Sequence, residues 1–514
     1  MTKINKWLPV VALWLLPTVG VAQNTQPLVV PFSMQELVAR CLVDFEGQPL
    51  CQEANNGDLN AQYAISSQYY DAGSAYSDLA MSWAFYAASR GSIPAQKQLA
   101  EMFLKGRGVP IDKVQSYEWY RTAAKSGDGE ALYHIGSMNM DGIGAIMDRT
   151  RGIAYLQESA RANWAPAAYR LGLAFEEGEG VMVNMTQAVG FYTQAANAGI
   201  PEAQFRLARF YEEGRVLTKD NKQALILYTH AAELGHGNAQ FALATLLRSE
   251  GGRLDEVIKW YREAAKAGIV GAQEQLGLIL LRGDNGKAEY TEAYKWLAEA
   301  AQGGSALAEF GLGRIYEEGL GVVRNRKIAK LHYQKAVELG NISALLKLGK
   351  ISLSEDKSEE ALKYYQKAAG LGRMEARRQV GLMYMEGSGT KKDLVTAEKW
   401  LELAVSSGST NAKYDLSRLY LLTKDEEKAV RLLREAAEAG VAEAQIELAA
   451  RYAAGRGVEQ SASQAYAWCM NVKECRPRVS YDCSRYGTML DEHDREISFN
   501  RLKFLQENNH CSMH

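Results

Sequence analysis

At 514 residues the chain exceeds what one compact core normally serves, so it must be divided into domains or built from repeats. Ten prolines and 46 glycines, in a chain 47% hydrophobic and 23% charged, exclude wholesale disorder and suit many helices joined by glycine-marked turns. The formal charge of −2, with no dense basic run interleaved with aromatics, argues against a nucleic-acid partner.

The chain opens like a secretory signal peptide over 1–22. Lys3 and Lys6 give a basic start, Trp7 to Leu16 an apolar stretch, and Gly20-Val21-Ala22 a small-residue site for cleavage between Ala22 and Gln23. Cleavage removes two lysines and leaves −2 − 2 = −4. The alternative is an uncleaved anchor, for which the stretch is short. No other segment is long and apolar enough to cross a bilayer, so no stable membrane insertion is expected after cleavage.

Residues 23–58 hold Pro27, Pro31, Cys41 and Cys51 and read as an N-terminal extension and cap. Six cysteines in an exported chain argue for disulfides. Cys41 and Cys51 are the natural N-terminal pair, whereas Cys469, Cys475, Cys483 and Cys511 allow three connectivities. The rival is a zinc site with His510 or His514, but Cys-x5-Cys-x7-Cys fits no common zinc knuckle. No metal or cofactor is expected.

From residue 59 to 475 the chain repeats. An alanine followed four residues later by an apolar residue recurs at Ala61, Ala95, Ala131, Ala167, Ala203, Ala239, Ala272, Ala308, Ala344, Ala376, Ala412 and Ala444, at spacings of 32 to 36. Within 199–235, Ala203, Leu207, Ala208 and Tyr211 fall at helical spacing, Gly214 stops that helix, and Ala224, Tyr228, Ala231 and Ala232 mark a second before Gly235. Each unit is therefore an antiparallel helix pair that buries its apolar face only by stacking on the next. Second helices carry W-Y-R-T-A-A-K-S-G (119–127) or W-Y-R-E-A-A-K-A-G (260–268), and many pairs are joined by a G-x-G loop, as at Gly142/Gly144, Gly178/Gly180 and Gly319/Gly321. The units starting at Ala239, Ala344 and Ala412 are three or four residues short and predict tighter turns.

These motifs resemble the Sel-1-like repeat branch of the tetratricopeptide-like α-solenoids, whose units run A-x-x-x-L-G-x-x-Y-x-x-G-x-G-V and then W-Y-x-x-A-A-x-x-G. The resemblance covers roughly 59–475 and implies an all-α, right-handed superhelical α/α solenoid of about twelve helix pairs. It further implies a non-catalytic adaptor that holds a protein or peptide in its groove, in the periplasm or outside the cell.

The remaining motifs have bland readings. G-x-G follows a helix here, so it is a C-cap and turn and not a phosphate cradle. Trp119, Trp260, Trp296, Trp400 and Trp468 share one repeat position, which favours core packing over a carbohydrate-binding stripe. The acidic pairs Glu176-Glu177, Glu212-Glu213 and Glu317-Glu318 precede turn glycines and read as a solvated rim, or as an acidic patch that would favour a basic partner. A polysaccharide partner, exopolysaccharide secretion and binding of a host protein are the alternatives to a peptide scaffold. No constellation of catalytic residues emerges, so no catalytic site is expected. Residues 476–514 break the repeat, and the periodic Ile497, Leu502 and Leu505 predict a disulfide-stapled capping helix.

Overall fold

The computed structural model describes residues 30–508, apart from 46–48, 285, 287, 476–482 and 489, with main chain alone at 473–475 and 506–508. The predicted cleavage site at Ala22 and Gln23 lies outside the described residues, as do Cys511 and the side chain of Cys475. Every regular element among the described residues is helical.

The repeat 165–200 shows why the sequence folds this way. Pro166 sits in the first turn of Ala165–Glu177, where its missing N–H costs nothing. Gly178 ends that helix in the left-handed region (φ 79°) and Asn184 caps the next, Met185–Asn197, by accepting from the Gln187 N–H at 3.1 Å. Twelve such pairs follow one another among the described residues, from Leu59–Asp71 with Ser77–Ser89 to Ala442–Ala454 with Ala462–Cys475. Asn184 and Asn341, which open formal glycosylation sequons, both serve as N-caps.

Alanines let the helices approach. Ala203, Ala208, Ala224 and Ala231 are fully buried, and Tyr192 and Tyr228 fill the space between them. In six of the twelve pairs a buried glutamine ties the first helix to the helix before it. Gln62, Gln96, Gln204, Gln240, Gln273 and Gln445 each donate to the carbonyl eight residues upstream, satisfying a last-turn acceptor that water cannot reach.

The two glycines of the G-x-G loop do different work. The first is the C-cap, as predicted. The second is a close-approach position: a Cβ on Gly180 would lie 2.7 Å from Arg149 Cβ, and one on Gly389 would lie 2.3 Å from the Ser358 carbonyl oxygen. The loop thus rests on the second helix of the preceding repeat. The three shortened units do turn more tightly. Connections 250–253, 355–357 and 423–425 replace the usual seven residues, and Gly251, Asp356 and Lys424 adopt positive φ there.

The chain forms two compact units, Met1–Glu263 and Ala264–His514, with the boundary inside helix Leu254–Lys266. In the first, Met34–Asp44 and Leu50–Asn55 are joined by a disulfide between Cys41 and Cys51 and share a core with Ile65, Trp83 and Leu99. In the second, Cys469 is bonded to Cys483, and helix Glu492–Asn508 lies on Ala462–Cys475. Its inward face is formed by Ser498 and Leu505, whereas Ile497 is 38% exposed, so the predicted apolar period is offset at that residue. The Ser498 hydroxyl donates to the Ser463 carbonyl at 3.1 Å.

Candidate functional site on the first-helix face

In each unit the first helices of successive repeats lie side by side and leave one row of side chains open to solvent. The fifth helical position carries Tyr169, Phe205, Phe241 and Phe310, whose rings pack 5.5 to 6.1 Å from Tyr192, Tyr228, Tyr261 and Tyr333 of the second helices. These rings are partly buried and set the floor.

One position further, cations reach back to the preceding repeat. Arg170 pairs with Asp141 at 3.0 Å, Arg206 with Glu176 at 3.3 Å and Lys347 with Glu317 at 2.8 Å. Glu176 and Glu317 receive a second bond from a core tyrosine, and Glu212 receives the tyrosine bond alone. Tyr192 donates to Glu176, Tyr228 to Glu212 at 2.6 Å and Tyr333 to Glu317 at 2.5 Å. Burial and then the carboxylate hydrogen bond raise all three phenols well above their ordinary pKa. At Glu317 burial alone would raise the carboxyl, but the bonds from Lys347 and Tyr333 outweigh it and hold the group below the usual carboxylate range.

The predicted acidic rim therefore separates into two rows. Glu176, Glu212 and Glu317 are half-buried clamps between a core tyrosine and, for Glu176 and Glu317, the next repeat's cation. Glu177, Glu213 and Glu318 are exposed, and Glu213 and Glu318 pair with Arg209 and Arg314 one turn earlier. The clamp was missed in the sequence, although its signal is fixed: the tyrosine lies 16 residues after the glutamate and the cation 30 after it.

In the second unit the face opens into a shallow hollow lined by Met385, Arg418, Leu421, Leu422 and Glu447. Leu422 is 55% exposed and Arg418 stands between the apolar floor and Asp415, a nearly buried carboxylate held by Arg378. Of the five tryptophans at the shared repeat position, Trp260, Trp296 and Trp468 are buried, and Trp119 packs edge-on against Phe85 while remaining, like Trp400, half-buried. They do not form an exposed stripe.

Comparison with known families finds the Sel1 repeat eleven times in series, from 93–128 through 201–236 and 306–341 to 442–469. The chain belongs to the Sel1 repeat family. Its twelfth helix pair, Leu59–Asp71 with Ser77–Ser89, has the same form but precedes the first match. Among solved structures, a protective antigen present in uropathogenic Escherichia coli strains and displaying an SLR fold is 26% identical, with 89% of this chain and 94% of that one covered and a TM-score of 0.63. A Sel1 repeat protein from Oxalobacter formigenes is also 26% identical over 62% of this chain and 93% of its own, with a TM-score of 0.44. Sel1 and related repeats are interaction scaffolds, and this chain is a scaffold of that kind.

Proposed function

We propose that the protein is a non-catalytic adaptor of the bacterial envelope that holds a protein or peptide segment on its first-helix face. The observation that carries this reading is the hollow at Met385, Leu421 and Leu422 with Arg418 and Glu447 at its edge. An apolar floor with one charge of each sign suits an aliphatic side chain flanked by backbone and polar groups. A sugar ring would call for a flat exposed aromatic, and the floor is aliphatic, which favours a peptide over a polysaccharide. The Arg378–Asp415 ion pair supports the reading because it ties Met374–Glu386 to Thr410–Leu422, two of the helices that present these side chains, reducing what binding must order.

The disulfides Cys41–Cys51 and Cys469–Cys483 support a location outside the reducing cytoplasm, and no helix among the described residues is long and apolar enough to cross a membrane. Together with the signal-like segment 1–22, they support export to the periplasm, with release from the cell as the second reading. The similar uropathogenic antigen is consistent with an exported chain. Residues 23–58 and 476–514 then act as caps that cover the end repeats. Selection of peptides from a random library on the purified protein tests the function: recovered peptides should share an aliphatic anchor and lose binding to Leu422→Asp. Binding indifferent to Leu422→Asp and to Arg418→Glu would reject this face as the site.

A further inference from the structure

The loops between first and second helices form an edge that has no part in the first-helix face, and in two consecutive repeats their tips carry methionine: Ile146-Met147 and Met182-Val183. Met182 is 90% exposed and Met147 57%, beside Ile146 at 88%. Packing does not demand a thioether at the first of these positions, because the residues equivalent to Met182 in other loops are Thr218, Lys391 and Glu459. The two tips are neighbours, since a Cβ on Gly180 would lie 2.7 Å from the Cβ of Arg149, the first residue of the helix that the Met147 loop opens.

Other methionines sit inside. Met102, Met138, Met140 and Met383 are at most 4% exposed. Met138 and Met140 belong to Gly129–Asp141, the helix that leads into the Met147 loop, and Met140 is packed so tightly that its Cγ lies 2.7 Å from where a Cβ on Gly152 would stand. Cys41, Cys51, Cys469 and Cys483 are held in disulfides, so their thiols do not compete for an oxidant. A thioether carries no proton, and its polarizable sulfur is nucleophilic wherever an oxidant can reach it.

We propose that Met182, with Met147 in the loop before it, is an oxidation site that takes an oxygen atom from hydrogen peroxide. The sulfur lone pair attacks one peroxide oxygen, an S–O bond forms as the O–O bond breaks, and the leaving hydroxide takes the proton of the transferred hydroxyl to become water. Sulfur is oxidised to the sulfoxide and the peroxide is reduced. At the loop tip the new oxygen stays in water and leaves the fold undisturbed, whereas on Met138 or Met140 it would be a buried acceptor without a donor. The reaction that must consume the product is enzymatic reduction of a peptidyl methionine sulfoxide, which makes the two tips a renewable sink for oxidant outside the core.

Peroxide treatment of the purified full chain tests it, with oxygen gained at each methionine read by peptide mass spectrometry. Met182 should react first and Met147 next, while Met102, Met138 and Met140 react at least about tenfold more slowly because they are reached only through local opening. The melting curve should stay unchanged while oxidation is confined to the two tips, and in urea-unfolded chain the rates should converge. Met182→Leu/Met147→Leu should remove the fast phase of peroxide consumption and leave the slow phase as it is. Oxidation of Met182 no faster than that of Met138 in the folded chain, or a fast phase that survives in the double variant, overturns the proposal. Failure of a methionine sulfoxide reductase with its thiol reductant to restore the folded, oxidised chain overturns the renewable sink.

Discussion

Gly144 approaches the preceding repeat so closely that a Cβ placed on it would sit 1.9 Å from the carbonyl oxygen of Lys113. Its φ of 72° is the left-handed conformation that L side chains disfavour. Gly144→Ala therefore meets strain and collision together and should destabilise the first unit by at least about 2 kcal/mol, read from the urea midpoint. In repeat 201–236 the corresponding residue is Val216, a β-branched side chain at φ 66°. Val216→Gly should raise the midpoint, by about 0.5–1 kcal/mol after the entropy cost of glycine. No loss of stability in Gly144→Ala, or a loss in Val216→Gly, would undo the reading of the second loop glycine as a close-approach position.

The clamp makes a constructive prediction. Arg206 answers Glu176 and Lys347 answers Glu317, but the matching position after Glu212 is Ala242. Ala242→Arg should add the absent cation and stabilise the first unit by about 0.5–1 kcal/mol at low salt, with the gain shrinking as salt is raised. A gain that survives high salt unchanged would point to packing and not to charge.

Glu317 has its pKa lowered in the folded chain, so its contribution is fully present above the unfolded value and is lost as pH falls through the folded one. Glu317→Gln should lower stability of the second unit at neutral pH by about 1–3 kcal/mol, because Tyr333 and Lys347 lose their charged acceptor. The difference from wild type should narrow at pH below about 4. A difference that holds constant down to acid unfolding would show that the carboxylate is not what the clamp uses.

His236 caps helix Gly237–Ser249 with its imidazole, Nδ1 accepting the Ala239 N–H at 3.1 Å. Burial lowers its pKa from 6.5, and a protonated Nδ1 could not accept. The folded pKa lies below the unfolded one, so the contribution is complete above about pH 6.5 and declines as pH falls toward the folded value. His236→Ser, which places the hydroxyl cap seen at Ser305 and Ser409, should keep neutral-pH stability within about 1 kcal/mol and remove that decline. Identical pH profiles for the two proteins would refute the role.

With Cys41–Cys51 and Cys469–Cys483 paired, we expect Cys475 and Cys511 to form the third disulfide of the exported chain. Alkylation of unreduced protein should then label no cysteine, and reduction should cost about 2–4 kcal/mol per bridge at the ends of the chain. Two labelled cysteines at 475 and 511 would remove the third bridge.

Much of this architecture was legible in the sequence because repeat spacing is set by close alanine contacts, which tolerate little change at Ala203 or Ala308. The clamps were not. Glu176 and Glu177 look alike as letters, but successive helical residues point about 100° apart, so one turns toward Tyr192 and the other to water. The buried glutamines were hidden for a similar reason, since a polar residue inside a helix reads as surface until its acceptor, such as the Ala196 carbonyl beside Gln204, is placed. The apolar loop tips escaped notice because loops carry no period against which Ile146 or Met182 would stand out.

The central claim is that the first-helix face binds a peptide segment, and photocrosslinking in the intact envelope tests it most directly. A photoreactive residue replaces Arg418 or Leu422 on that face and, in separate proteins, Lys399 or Leu403 on the second helix Leu394–Ser406. The account predicts one discrete crosslinked partner from the first pair and none from the second. Crosslinks confined to Lys399 and Leu403, or distributed equally over both helices, would contradict it.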